Sequence, residues 1–178
     1  LAAPARLLPL LDRLSETIGR FVSWLTLLMV LITFAVVVLR YVFDMGWIAL
    51  QESVVFLHGT VFMLGAAYAL QRDGHVRVDI FYRRRSERGR ALTDLLGTLL
   101  LLLPTCGFIL WVGWDYVADA WAVREGSREA GGLPGVFLYK TLILLMPALL
   151  LVQGLSTVLG ATVTLARRSG TGDEVNRA

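Results

Sequence analysis

FVSWLTLLMVLITFAVVVL, residues 21–39, holds no charged side chain and is closed on both sides by arginine, Arg20 and Arg40. A helix needs about 20 apolar residues to cross a hydrocarbon core. The stretch therefore reads as a membrane span. It is too long for the apolar part of a secretory signal, and an Arg-Tyr pair follows it instead of a small-residue cleavage site.

Three further runs extend the pattern. One begins near Trp47 and ends at Leu70, with Glu52 in its opening turn. Another runs from Leu95 to Trp114 through Pro104, and the last from Thr141 to Leu165 through Pro147 and Gln153. Proline does not disqualify a spanning helix, because neighbouring groups re-satisfy the freed backbone. Composition agrees: 56% of the 178 residues are hydrophobic, 17% are charged, and mean hydropathy is +0.66. A soluble domain carries about 25% charged residues. The single cysteine, Cys106, excludes a disulfide framework or a cysteine-rich metal site.

The basic residues give a direction. Of 17 Lys and Arg, thirteen fall in the N-terminal twenty residues, the 71–90 connection and the C-terminal tail; Arg40, Arg124, Arg128 and Lys140 make up the rest. The positive-inside rule then sets both termini and the 71–90 loop in the cytoplasm. The expected architecture is an all-α integral membrane protein with four transmembrane helices and both ends inside. Its parts are an interfacial helix at 5–18, spans at 20–40, 47–70, 91–115 and 134–165, a cytoplasmic loop at 71–90, a periplasmic loop at 116–133 and a tail at 166–178. Leu7, Leu10, Leu11, Leu14 and Ile18 recur at helical spacing, with Arg6, Asp12, Arg13 and Glu16 mainly elsewhere on the wheel, so this segment is expected to lie on the leaflet.

Few residues carry chemistry. In QRDGHVRVDIFYRRR, residues 71–85, His75 and Asp79 share a face whether helical or extended, Arg77 joining them in the extended case. A structured loop docking on a neighbour is the simpler reading. A membrane enzyme using His75 and Asp79 lacks a nucleophile or a metal set. Glu52 is the acidic residue within the apolar part of a span, where ionisable groups point to function. Its place near a helix N-terminus suits a polar contact to another helix or subunit. A self-contained four-helix carrier or channel coupled through Glu52 is the alternative. His58 aligns with Gln51 and Gly65, and Gly65 with Ala69 forms a small pair, a face suited to helix packing. Ser156 and Gly160, with Gln153 a turn earlier, repeat that pattern in the last span. In the outer connection Asp115, Asp119, Glu125 and Glu129 outnumber Arg124 and Arg128, and Gly131, Gly132 and Pro134 enforce a turn.

LGAAYALQRDGHVRVDIFY (64–82), DRLSETIGRFVSWLTLLMVLITF (12–34), ALTDLLGTLLLLLP (91–104), REGSREAGGLP (124–134) and LLLVQGLS (149–156) together resemble the small permease subunits of TRAP transporters, the DctQ-like family. The similarity is nearest to the subgroup labelled mannitol/chloroaromatic and reaches from about Leu11 to Gly160. It implies a non-catalytic subunit in the bacterial inner membrane, beside a large elevator-type subunit that holds the solute and sodium sites. A periplasmic solute-binding protein delivers an organic acid or related solute. The implied partners are those two proteins and membrane lipids, with no nucleic acid, and no cofactor or metal is expected in this chain. Transferred to matching positions, the resemblance makes His75, Arg77 and Asp79 a cytoplasmic subunit contact and Gly131, Gly132 and Pro134 the outer turn. Glu125 and Ser127 would face the periplasm as part of a docking surface. Val136 stands where many relatives carry tryptophan.

Overall fold

A computed structural model describes residues 2–72, 74, 82 and 85–167, with side chains from Pro9 to Ala166. The described chain is helical. α1 (Ala2–Val42) and α2 (Ile48–Gln71) are joined by a short turn in which Asp44 takes φ 52°. α3 (Glu87–Ala122) follows, and then a loop leads to the short α4 (Val136–Lys140) and to α5 (Leu142–Arg167). Four helical stretches are long and apolar enough to cross a membrane: Pro9–Val42, Ile48–Gln71, Glu87–Ala122 and Val136–Ala166. The chain is an all-α integral membrane protein. An even number of crossings brings the two chain ends to one end of the bundle, the terminal end. The connection between α3 and α4 lies at the other, the loop end.

α5 is the central helix. It packs against α1, α2 and α3, whereas α1 lies along α2 and α3 leans on α5. Accordingly 28% of its spanning window is buried, against 6% in each of the other three. The outward faces carry Trp24, Phe34, Phe62, Leu101, Phe108 and Trp111, all more than half exposed. A surface of that kind suits hydrocarbon, where no water penalises it.

α3 is continuous but not uniform. Ser86 caps it by accepting from Gly89 N at 3.3 Å, and between Thr98 and Leu102 the helix widens to a π turn. Pro104 follows directly, and its ring and missing N–H disturb the preceding turn. A π turn is a common way to absorb such a mismatch without breaking the helix. Nearby, Gly154 of α5 lets α3 come close: a Cβ there would lie 2.7 Å from Leu102 Cδ2. The small residue that matters for this contact is therefore Gly154. At Gly160 an added Cβ would meet nothing within 4 Å.

The largest departure from expectation is at the start of the chain. α1 runs unbroken through residues 18–20, so the amphipathic segment and the first span form one helix. Its apolar stripe faces outward, with Leu10 60% and Leu14 45% exposed, while Ser15 is 3% exposed. The polar stripe turns into the bundle because α2 and α5 offer it hydrogen-bond partners. Such pairing outweighs a wheel-based preference when the surrounding medium is lipid.

Candidate functional site

At the terminal end, Asp12 ties three helices together. Its carboxylate Oδ1 accepts from Ser156 Oγ at 2.9 Å and from Gln153 Nε2 at 3.4 Å, both on α5. Its main-chain oxygen accepts from Gln71 Nε2 of α2 at 2.9 Å. One turn on, Ser15 Oγ donates to Gln153 Oε1 at 2.7 Å. Gln153 and Ser156 are each only 4% exposed, so this is a buried polar network. Gln71 Oε1 is buried there with no partner among the described residues. Around its rim, Glu16 accepts from Arg20 at 2.8 Å, and Arg72 stands 3.5 Å from the same oxygen. Tyr82 donates to Asp94 Oδ2 at 2.6 Å. His75, Arg77 and Asp79 lie outside the described residues.

At the loop end a second carboxylate does related work. Glu52 Oε1 accepts from Ser127 Oγ, and Glu52 Oε2 accepts from Leu133 N at 2.7 Å. Ser127 N in turn donates to Leu133 O at 2.9 Å, closing the 127–133 segment on itself. Gly131 takes φ +79°, in the region glycine favours. At Gly132 a Cβ would collide with Ser127 Oγ and Cβ and stand 2.7 Å from Glu52 Oε2. The pair of glycines thus serves two ends: one reverses the chain, the other leaves room for the carboxylate.

A second strap lies beside it. Lys140 Nζ reaches Glu125 Oε2 at 2.5 Å and sits 4.0 Å from the centre of the Tyr116 ring. Trp121 Nε1 donates to Thr141 Oγ1 at 2.9 Å, and its ring meets Phe137 edge-on at 4.8 Å. Tyr139 stacks on Phe56 at 4.5 Å over Gly59, which has no side chain to obstruct it.

These contacts redistribute the residues singled out in the sequence. Glu52, Ser127 and Gly132 come together, though they stem from two distant stretches. Ser127 and Glu125 are turned inward and half-buried, leaving Arg124, Arg128, Glu129, Gly131 and Pro134 exposed on the loop. Gly65 lies against Val22 of α1, a Cβ there standing 3.8 Å from Val22 Cγ1, and Ala69 O accepts from Gly74 N at 2.8 Å. His58 is exposed, at a groove between α1 and α2. Asp12 and Ser15 are the residues the sequence reading missed. The signal was available as a polar stripe at i, i+3 and i+7 through Gly19, but it was masked by the stronger leucine pattern on the other face.

Among the described residues no group of three or more His, Cys, Asp or Glu could hold a metal ion. In each polar cluster a carboxylate fastens two or three segments.

Residues 29–164 match the family described as tripartite ATP-independent periplasmic transporters, DctQ component. The chain is also 30% identical over 89 residues to the C4-dicarboxylate TRAP transporter small permease protein DctQ of Vibrio cholerae serotype O1. That match takes in 49% of this chain and 38% of the relative. No solved structure matches. A four-span bundle whose family match runs from the first span into the last leaves one conclusion: the chain belongs to the DctQ component family of tripartite ATP-independent periplasmic transporters.

Proposed function

We propose that this chain is the small, non-catalytic membrane subunit of a TRAP transporter. It braces a larger elevator-type subunit in the inner membrane during sodium-coupled uptake of an organic acid or related solute. The family match over residues 29–164 carries this reading. The sodium and solute sites belong, on this reading, to the larger subunit. Placement in the mannitol/chloroaromatic subgroup rests on sequence resemblance.

The bundle is suited to a bracing role. Asp12 and Glu52, the carboxylates best placed for chemistry, are occupied in holding helices and loop together. Glu52 is therefore a poor candidate for the coupling group of a self-contained carrier. The distribution of basic residues supports termini in the cytoplasm and the 123–135 loop in the periplasm. There the exposed part of the loop would help to seat the solute-binding protein.

The test is purification from native membranes in mild detergent, followed by reconstitution. The expected outcome is a stoichiometric larger polytopic partner, with sodium-driven uptake that needs both chains and the binding protein. Glu52→Gln should leave that uptake in place. Elution of this chain alone, together with ion-driven uptake by it alone, would overturn the proposal.

A further inference from the structure

His58 is a polar side chain of the spanning helices for which the described residues supply no hydrogen-bond partner. Several hydroxyls on the same two helices are paired locally: Thr33 Oγ1 donates to Met29 O at 2.8 Å, Ser53 Oγ to Leu50 O at 2.7 Å and Thr60 Oγ1 to Phe56 O at 2.7 Å. His58 has no hydrogen-bond or ion-pair partner among the described residues, and it is exposed. At 1.5 Å per residue it lies about 15 Å from the start of α2 and about 20 Å from its end. That places the imidazole deep in the hydrocarbon, where an unsatisfied polar group costs several kcal/mol.

Its surroundings form a seat. His58 opens into a groove of about 440 Å³ between α1 and α2, which Val30, Phe34, Val37 and Val54 help to line. Val55 and Phe62 flank it on the same stripe of α2, 58% and 69% exposed, and Phe34 is 68% exposed. The face is largely apolar; its two polar side chains are His58 and Thr33, and the Thr33 hydroxyl already donates to Met29 O.

We propose that this groove receives a transmembrane helix of the larger permease subunit, carrying a hydroxyl or amide side chain that hydrogen bonds His58. The inference rests on the subunit reading above and names the face and the contact. A lipid headgroup does not fit, because headgroups lie about 15 Å from the bilayer centre, and acyl chains offer no donor or acceptor. An imidazole offers an N–H donor and, when neutral, an acceptor nitrogen. Within hydrocarbon a partner that presents such a group must be helical, since its own backbone has to be satisfied internally. Interhelical hydrogen bonds of this kind contribute about 0.6–1.7 kcal/mol.

The experiment uses the whole transporter in its native membrane, with a photo-crosslinking residue in place of Val55 or Phe62. Leu101 and Phe108 on the outward face of α3 serve as comparison positions. Crosslinks to the larger subunit from Val55 and Phe62 are expected. His58→Leu should lower recovery of the larger subunit about three- to eighteenfold, and His58→Gln should restore it to within about twofold. Restoration by glutamine separates a lost hydrogen bond from a lost fold. Crosslinks to the larger subunit from α3 alone would overturn this face while leaving the proposed function standing. Crosslinks from Val55 and Phe62 only to lipid or to a second copy of this chain would overturn it too. Failure of the unaltered chain to bring down any larger subunit would overturn the proposed function itself.

Discussion

The two ends of the bundle use the same device for different ends. At the terminal end Asp12 receives side chains from α2 and α5, all on helices already in contact. At the loop end Glu52 receives a hydroxyl and a backbone N–H from one loop. The first arrangement sets how helices sit against each other. The second sets the shape of a surface beyond the helices. A carboxylate is thus a structural member at each end of the bundle, and what it holds decides whether its loss is felt by the whole bundle or by the loop.

That contrast orders the expected effects of substitution. Asp12→Leu should be the most damaging, because it leaves Ser156 and part of Gln153 buried without a partner. A buried unsatisfied group costs about 1–3 kcal/mol, and the loss should appear as a lower thermal midpoint of the whole protein in detergent. Asp12→Asn keeps an acceptor oxygen and should recover most of it. Equal damage from both would mean that the charge, not the hydrogen bonding, holds this end.

Gly132→Val comes next, with its effect confined to the loop. The added carbons collide with Ser127 and Glu52, so the 127–133 segment must open. Trypsin should then cut after Arg124 or Arg128 about tenfold faster, since cleavage follows the population of the open form, while the thermal midpoint moves little. A midpoint falling as far as in Asp12→Leu would erase the distinction between the two ends.

Glu52→Gln should cost about 1 kcal/mol, within the range of a single hydrogen bond. The amide oxygen keeps the Leu133 N–H while the amide NH2 donates to the Ser127 hydroxyl, so both contacts survive as neutral ones, one of them reversed. Limited proteolysis of the loop should show a smaller rise than in Gly132→Val. The smallest effect belongs to Trp121→Phe, which keeps the edge contact with Phe137 and loses the N–H to Thr141, a contribution of about 0.6 kcal/mol. A thermal shift as large as for Asp12→Leu would show that α3 and the α4–α5 junction are joined mainly through this indole.

Expectation and structure part company at particular residues, and each case has a cause. The widened turn before Pro104 could not be read from the sequence, since a proline in a spanning helix is compatible with a kink, a bulge or a plain helix. Gly160 and Gly154 are both small residues on one helix. Only the approach of Leu102 shows which is packed. Ser127 was expected to face the periplasm because the resemblance matches it there. It turns inward because Glu52, distant in sequence, offers an acceptor that the medium around α2 makes valuable.

The sequence by itself determined the number of spans, their approximate limits and the membrane class of the protein. Those follow from the length of uninterrupted apolar runs and from where charge is allowed, both local properties of the chain. The glycine-proline turn at 131–134 was legible for the same reason. Only the tertiary structure decided that Asp12 and Ser15 face inward, that Glu52 clasps the loop, and that His58 is left exposed. Those outcomes depend on which helices meet, and a polar side chain in lipid takes whatever partner the packing brings within about 3 Å.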